Sequence, residues 1–251
     1  MITVAGFPPD ASFSRTFPAN SVEARLLSTM TESASKYSYD SLHTLSFELL
    51  LRREIVNAAQ LLYKSRFGFA VFHRSRCNEA YWKRTSNGGF QLKKNTAPAA
   101  AIRDIYENGS AYATECATAM LVVYYKAFLE TYGEERFNSL FSDIYLMNWH
   151  TSDPLLKAAA TPRPVPELLL GDRGYFANPD VDPQTPQWQG ENVIVLPDGL
   201  YYGHGVGIHT ADRIIKALNG NRKEGATQPS YLMRSAGRPD IKKLAGYYPK
   251  A

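Results

Sequence analysis

Cysteine is scarce in this sequence: Cys77 and Cys116 are the two in 251 residues, too few for a disulfide framework. The N-terminus lacks the basic cluster and apolar core of a secretory signal, so synthesis and initial residence in the cytoplasm, with both thiols free, are expected. No apolar run approaches the roughly 20 residues of a bilayer span. The longest, Met120 to Tyr125 and Leu168 to Leu170, stop far short, and no membrane partner is expected. A dominant sign of charge is also missing. The 28 basic and 24 acidic residues are interspersed and sum to +4, leaving no stripe for a nucleic acid and pointing instead to acidic protein surfaces. No His/Cys/Asp/Glu cluster has metal-ligand spacing, and Gly203-His-Gly-Val-Gly207 is not followed by the pattern of a phosphate-cradling loop. Neither a metal nor a nucleotide cofactor is expected.

Apolar and aromatic side chains are plentiful, at 44% and 12%, enough for one large domain or two small ones with packed cores. Along the chain, residues 1–20 read as an irregular arm. Ser21 caps a short helix to about Met30, a Ser/Thr/Tyr-rich linker follows, and Leu42, Leu45, Leu49, Ile55, Val56, Ala59 and Leu62 mark a long helix from residue 40 or 41 to about Lys64. Three short runs at 67–72, 80–83 and 90–93 suggest an antiparallel meander, and Pro98 opens a helix that stops at Asn108-Gly109. Residues 134–141 form another helix and 143–148 a buried strand. Residues 151–167, with Pro154, Pro162, Pro164 and Pro166, are expected to be a loop of the lid or rim kind. Tyr175-Phe176 is a strand, residues 192–196 are another, and Pro197-Asp-Gly199 turns that one into a return strand from Leu200 to about Ile208. A helix from residue 210 or 211 ends at Asn219-Gly220, and the basic tail stays unassigned. Helices, a meander, more helices and then strands make an α+β domain.

Cys116 is the residue to explain. Thr114 reads as an N-cap, and Ala117, Met120, Leu121, Tyr124 and Phe128 recur at helical spacing, which sets the thiol in a first turn. Unpaired N–H groups and the helix dipole favour a thiolate there, so a lowered thiol pKa is expected. A cysteine in an apolar helix is ordinarily packing; the polar neighbours Glu115 and Thr114 are what point to chemistry. If Asp198-Gly199 is a two-residue loop, Val193 lies opposite His204, and Glu191 and His204 become diagonal neighbours on one sheet face. Each alone reads as structural. A carboxylate and an imidazole on a sheet, facing a thiol at a helix start, form the arrangement of cysteine acyl-transfer enzymes.

Four segments carry a resemblance: Ala101-Ile-Arg-Asp-Ile-Tyr-Glu-Asn-Gly109, Ala113-Thr-Glu-Cys-Ala-Thr-Ala119, Gln187-Trp-Gln-Gly-Glu-Asn-Val-Ile194 and His204-Gly-Val-Gly-Ile208. They closely resemble the spore-coat protein-glutamine γ-glutamyltransferases of spore-forming bacteria, in order and spacing, from about Ser41 to Leu232. The resemblance implies a single domain over 1–251, with an arm and short helix (1–40), a catalytic core (41–232) and a basic tail (233–251). It further implies a compact papain-like core with helices packed on an antiparallel sheet, independence of calcium, and no cofactor. Carried over by position, it makes Cys116 the nucleophile, Glu191 its acid/base partner, Glu115 a partial stand-in and His204 a further participant. The reaction implied is attack on a glutamine carboxamide, loss of ammonia, and transfer to a lysine amine on protein substrates, coat proteins among them, by a monomer that ends at the spore surface. Departures lie in the 151–167 loop and in Cys77. Trp149 and Trp188, beside irregular segments, are expected to wall the entrance and exclude water, or else to be core. The alternatives are a papain-like cysteine hydrolase and a catalytically silent coat protein.

Overall fold

The computed structural model describes residues 1–149 and 153–249. The N-terminal arm is not irregular throughout: it holds β1 (Ile2–Val4) and a short helix α1 (Ala11–Arg15) capped by Asp10. Ser21 caps α2 (Val22–Glu32) as its spacing predicts. The polar linker hides β2 (Tyr37–Tyr39), which pairs in parallel with β1, so that Ile2, Leu26, Met30, Tyr39 and Leu49 share one cluster. Three-residue strands are too short to show a period. The long helix α3 (Leu42–Lys64) begins where the Ser41 hydroxyl accepts the Thr44 N–H at 3.2 Å.

The expected meander is only partly present. Strands β3 (Gly68–Phe69), β4 (Trp82–Arg84) and β5 (Phe90–Leu92) exist, and β4 and β5 pair, but β3 does not join them. Residues 67–72 instead cross the β4–β5 turn, where Gly88 at φ 90° lies so close to the Phe72 carbonyl that a Cβ would collide. After α4 (Pro98–Glu107), with Pro98 in its first turn, β6 (Ala113–Thr114) takes β3 as its parallel partner. Then comes α5 (Cys116–Tyr132), buried on nearly every side and therefore central rather than amphipathic. Gly133, at φ 80°, separates it from α6 (Glu134–Leu140), and β7 (Tyr145–Leu146) supplies the third strand beside β5.

The proline-rich stretch is not all loop. Its residues 151 and 152 lie outside the described residues, but Asp153 accepts the Leu155 and Leu156 N–H groups and opens α7 (Pro154–Ala160). Pro154 stands at the first helical position, where a missing N–H costs nothing, and Leu-Leu-Lys-Ala-Ala-Ala are helix formers. Prolines at 162 and 164 belong to the edge strand β8 (Pro162–Pro164). Strands β9 (Arg173–Ala177), β10 (Gly190–Val195), β11 (Leu200–Gly203) and β12 (Gly207–Thr210) precede α8 (Ala211–Asn219). The tail is ordered too, as β13 (Tyr231–Leu232), β14 (Ser235–Gly237) and α9 (Ile241–Ala245). The main sheet runs β12-β11-β10-β9-β14-β8, with β13 also on β9, and its pairings are antiparallel. Helix α5 packs on this sheet through Ile194 and Leu196, which join its core cluster. The molecule is a single α+β domain.

A buried ion cluster ties the tail to the body. Asp172 receives Arg52 at 2.8 Å and Arg238 at 2.6 Å, while Arg52 also meets Glu48 at 2.7 Å.

Candidate active site

The site assembles where the start of α5 meets the start of β10. Cys116 is the first residue of α5, as expected, but the cap is Glu115, not Thr114, which is spent in β6. The Glu115 carboxylate accepts the N–H groups of Ala117 at 2.5 Å and Thr118 at 2.8 Å, and the Thr118 hydroxyl as well. This overturns the expected lowering of the thiol pKa. The positive helix end is neutralised by its own cap, and burial, followed by the negative charges of Glu191 and Glu115, pushes the thiol up to about 12.

Glu191, on β10, is 3% exposed, and burial pushes its carboxyl up to about 7. The Gly205 N–H, donating to Oε1 at 3.0 Å, works against that rise, and the charge of Glu115 adds to it. The turn after β11 is shaped to this carboxylate. A Cβ on Gly203 would stand 2.8 Å from its Cγ and Oε1, and one on Gly205 3.2 Å from Oε2.

The hairpin register corrects the reading of His204. Leu196 donates to the Leu200 carbonyl at 2.9 Å, so the loop holds three residues, with Asp198 and Gly199 at φ 62° and 69°. Val193 therefore faces Gly203 and not His204. The imidazole stands at the strand's end with both nitrogens engaged, Nδ1 by the Tyr202 hydroxyl at 3.2 Å and Nε2 by the Gly68 carbonyl at 2.9 Å. Burial pushes its pKa down to about 4. It stays neutral and fastens β3 to the turn that holds Glu191.

A cavity of about 630 Å³ opens over the thiol, lined by Cys116, Phe69, Phe72, Trp149, Arg173 and Tyr175 among others. Trp149 lines it, and the Arg173 guanidinium lies 4.4 Å from its ring centroid. Trp188 is not a wall. Its neighbours Gln187 and Gln189 line the cavity, while its own ring packs on the far cluster of Phe176, Val193 and Ile214. Helix α7 contributes Leu156, Lys157 and Ala160, so the proline-rich stretch forms a rim.

Sequence reasoning missed Asn192, Arg173 and Tyr175. The Asn192 Nδ2 donates to the Cys116 sulfur at 3.5 Å, and its Oδ1 accepts Arg173 at 2.7 Å. An amide inside the apolar run 192–196 was the available signal. Tyr175 gave none, because its register opposite Asn192 depends on a pairing across an irregular segment of twelve residues, 178–189.

A half-buried thiol at a helix start, two carboxylates and a cavity walled by aromatic rings suit acyl transfer. The model of the family protein-glutamine gamma-glutamyltransferase matches residues 1–248. The chain belongs to this family. A protein-glutamine gamma-glutamyltransferase of Halalkalibacterium halodurans is 43% identical over 233 residues, covering 92% of this chain and 80% of that protein. One of Bacillus subtilis is 44% identical over 220 residues, covering 87% and 88%. The solved transglutaminase from Geobacillus stearothermophilus (without C-terminal extension) is 47% identical, with a TM-score of 0.79 over 84% of this chain and all of that one. The match includes the N-terminal arm and the tail, which were expected to fall outside it. This transglutaminase is an acyltransferase whose substrates are proteins bearing glutamine and lysine.

Proposed function

We propose that Cys116 is the nucleophile of this transglutaminase and Glu191 its acid/base partner. The observation that carries the reading is the meeting of the start of α5 with the start of β10, where Asn192 bonds the Cys116 sulfur and the preceding residue is the buried Glu191, whose charge acts on the thiol. As Sγ adds to the glutamine carbonyl, its proton passes to Glu191. The carboxylic acid then protonates the departing nitrogen, and ammonia leaves a thioester. A neutral lysine amine adds to the thioester, gives its proton to Glu191, and displaces the thiol, which takes that proton back. A gap of about 5 between thiol and carboxyl costs roughly 7 kcal/mol if both charges stay fixed. It costs less in the event, because the transfer removes the Glu191 charge that holds the thiol up. A carboxyl near 7 suits a group that must accept and return protons at neutral pH.

Glu115 is a partial substitute at most, since acting as a base means releasing the helix cap. His204 is a positioning residue. The hydrolase reading is disfavoured by the match to the protein-glutamine gamma-glutamyltransferase family over residues 1–248. The test is incorporation of a labelled primary amine into a glutamine-bearing protein by the wild type beside Cys116→Ala, Glu191→Gln and Glu115→Gln. Activity in Cys116→Ala would refute the assignment, and deamidation without incorporation would favour the hydrolase.

The wider setting is proposed on the same footing. Among the described residues no group of three His, Cys, Asp or Glu side chains is arranged to hold a metal ion, and no helix is long and apolar enough to cross a membrane. The likeness to the protein-glutamine gamma-glutamyltransferases of Bacillus subtilis and Halalkalibacterium halodurans supports the proposal of a calcium-independent monomer, made in the cytoplasm, that crosslinks coat proteins at the spore surface. Undiminished incorporation in EGTA, a monomer mass by light scattering, and reduced isopeptide content in the coat of spores lacking the gene are the expected results.

A further inference from the structure

Two backbone donors at the start of α5, near where an oxyanion would develop, are already engaged. The Ala117 and Thr118 N–H groups both end on the Glu115 carboxylate, and an oxyanion brought there would meet a negative charge. Those two donors are therefore not free for the addition step that the proposed function requires, and side-chain donors take on weight.

Strand pairing supplies them. Asn192 on β10 lies directly opposite Tyr175 on β9, which puts both side chains on one sheet face. Both line the cavity with Cys116, and the Asn192 amide already donates to the sulfur. The Tyr175 hydroxyl lies over Gly190, where a Cβ would approach within 2.2 Å of it, so only glycine leaves room for the phenol at that wall. Among the described residues this hydroxyl has no hydrogen-bond partner, and unlike Tyr124, whose hydroxyl is also unpartnered but lies in the core, Tyr175 lines the cavity. A polar atom left free against a cavity is available to a ligand.

We infer that Tyr175 is a catalytic residue: with Asn192 it forms the pair of neutral donors that receives the glutamine carbonyl oxygen as Cys116 adds to it. The inference rests on Cys116 being the nucleophile. No atom is transferred. The O–H and N–H donate as the C=O π pair moves onto oxygen, and they relax when the tetrahedral adduct collapses. The phenol stays protonated throughout, since burial and the neighbouring Cys116 and Glu191 push its pKa up to about 12. The same donors serve the second addition, when the amine attacks the thioester. A donor aimed at the place where charge develops is worth more to the transition state than to the bound substrate.

The test is Tyr175→Phe, which keeps the ring. Its kcat for amine incorporation should fall about 100-fold, the usual loss for one oxyanion donor, with little change in KM for the glutamine protein. Alkylation of Cys116 by iodoacetamide forms no oxyanion and should proceed at the wild-type rate. Incorporation within threefold of wild type would overturn the inference. So would an alkylation rate reduced in parallel with kcat, because the ring would then merely be placing the thiol. Full incorporation by Cys116→Ala would instead remove the underlying assignment, so the two failures are distinguishable.

Discussion

Glu191→Gln should change three measurements in directions that no ordinary loss of packing would produce together. The substitution preserves shape and leaves an oxygen for the Gly205 N–H, but removes both the proton acceptor and a buried charge. With a folded-state pKa of about 7 against an ordinary 4.5, the wild-type carboxyl is destabilised in its charged form. Its contribution therefore favours folding below pH 4.5 and is lost as pH rises through 7. The shift of about 2.5 corresponds to about 3 kcal/mol, so the variant should gain up to that much at pH 8 and little at pH 4. For a chain of this length that is about 6 to 10 °C in Tm at pH 8, readable by thermal denaturation at the two pH values. Amine incorporation should meanwhile fall by about 10² to 10⁴, the usual share of a general base. The thiol should move the other way. Glu191 is the foremost charge acting against ionisation of Cys116, so the variant should be alkylated by iodoacetamide faster than wild type at pH 9. Equal melting temperatures at pH 8, or slower alkylation in the variant, would refute the electrostatic account.

Other consequences can be checked in the same preparations. Gly203→Ala should displace the Glu191 carboxylate, lowering kcat and moving the acid limb of the pH profile, which in the wild type should rise through about pH 7. Trp149→Ala should raise hydrolysis relative to crosslinking, measured as ammonia released per amine incorporated, whereas Trp188→Ala should leave that ratio alone because its ring faces the other cluster. Asp172→Ala leaves Arg52 with one of its two carboxylates in a dry site, and Arg238 without its own, and should cost about 3 to 5 kcal/mol in chemical denaturation, as broken buried pairs do.

The helices and the late strands were legible in the sequence because their signals are long or paired. Twenty-three residues of α3 repeat a helical period behind a serine cap, and residues 193–195 form a run of β-branched side chains shortly before a turn. Readings failed where one residue decided the outcome. A third loop residue moved the register so that His204 left the face of Glu191, and a cap one position later turned a stabilised thiolate into a suppressed one. Helix α7 was hidden because its proline was counted as a breaker when it stood at the one helical position that tolerates it. The pairing of Asn192 with Tyr175, and the turning of Trp188 away from the cavity, depend on contacts between segments distant in the chain, which no local pattern records.

The carboxylate cap on α5 also bears on durability. Peroxide and related oxidants consume cysteine as its anion, the first rung on a ladder that runs through sulfenic to irreversible sulfinic acid. A sulfur that keeps its proton until an acyl donor fills the recess offers them little to attack. The arrangement that keeps this thiol protonated therefore also slows its oxidation.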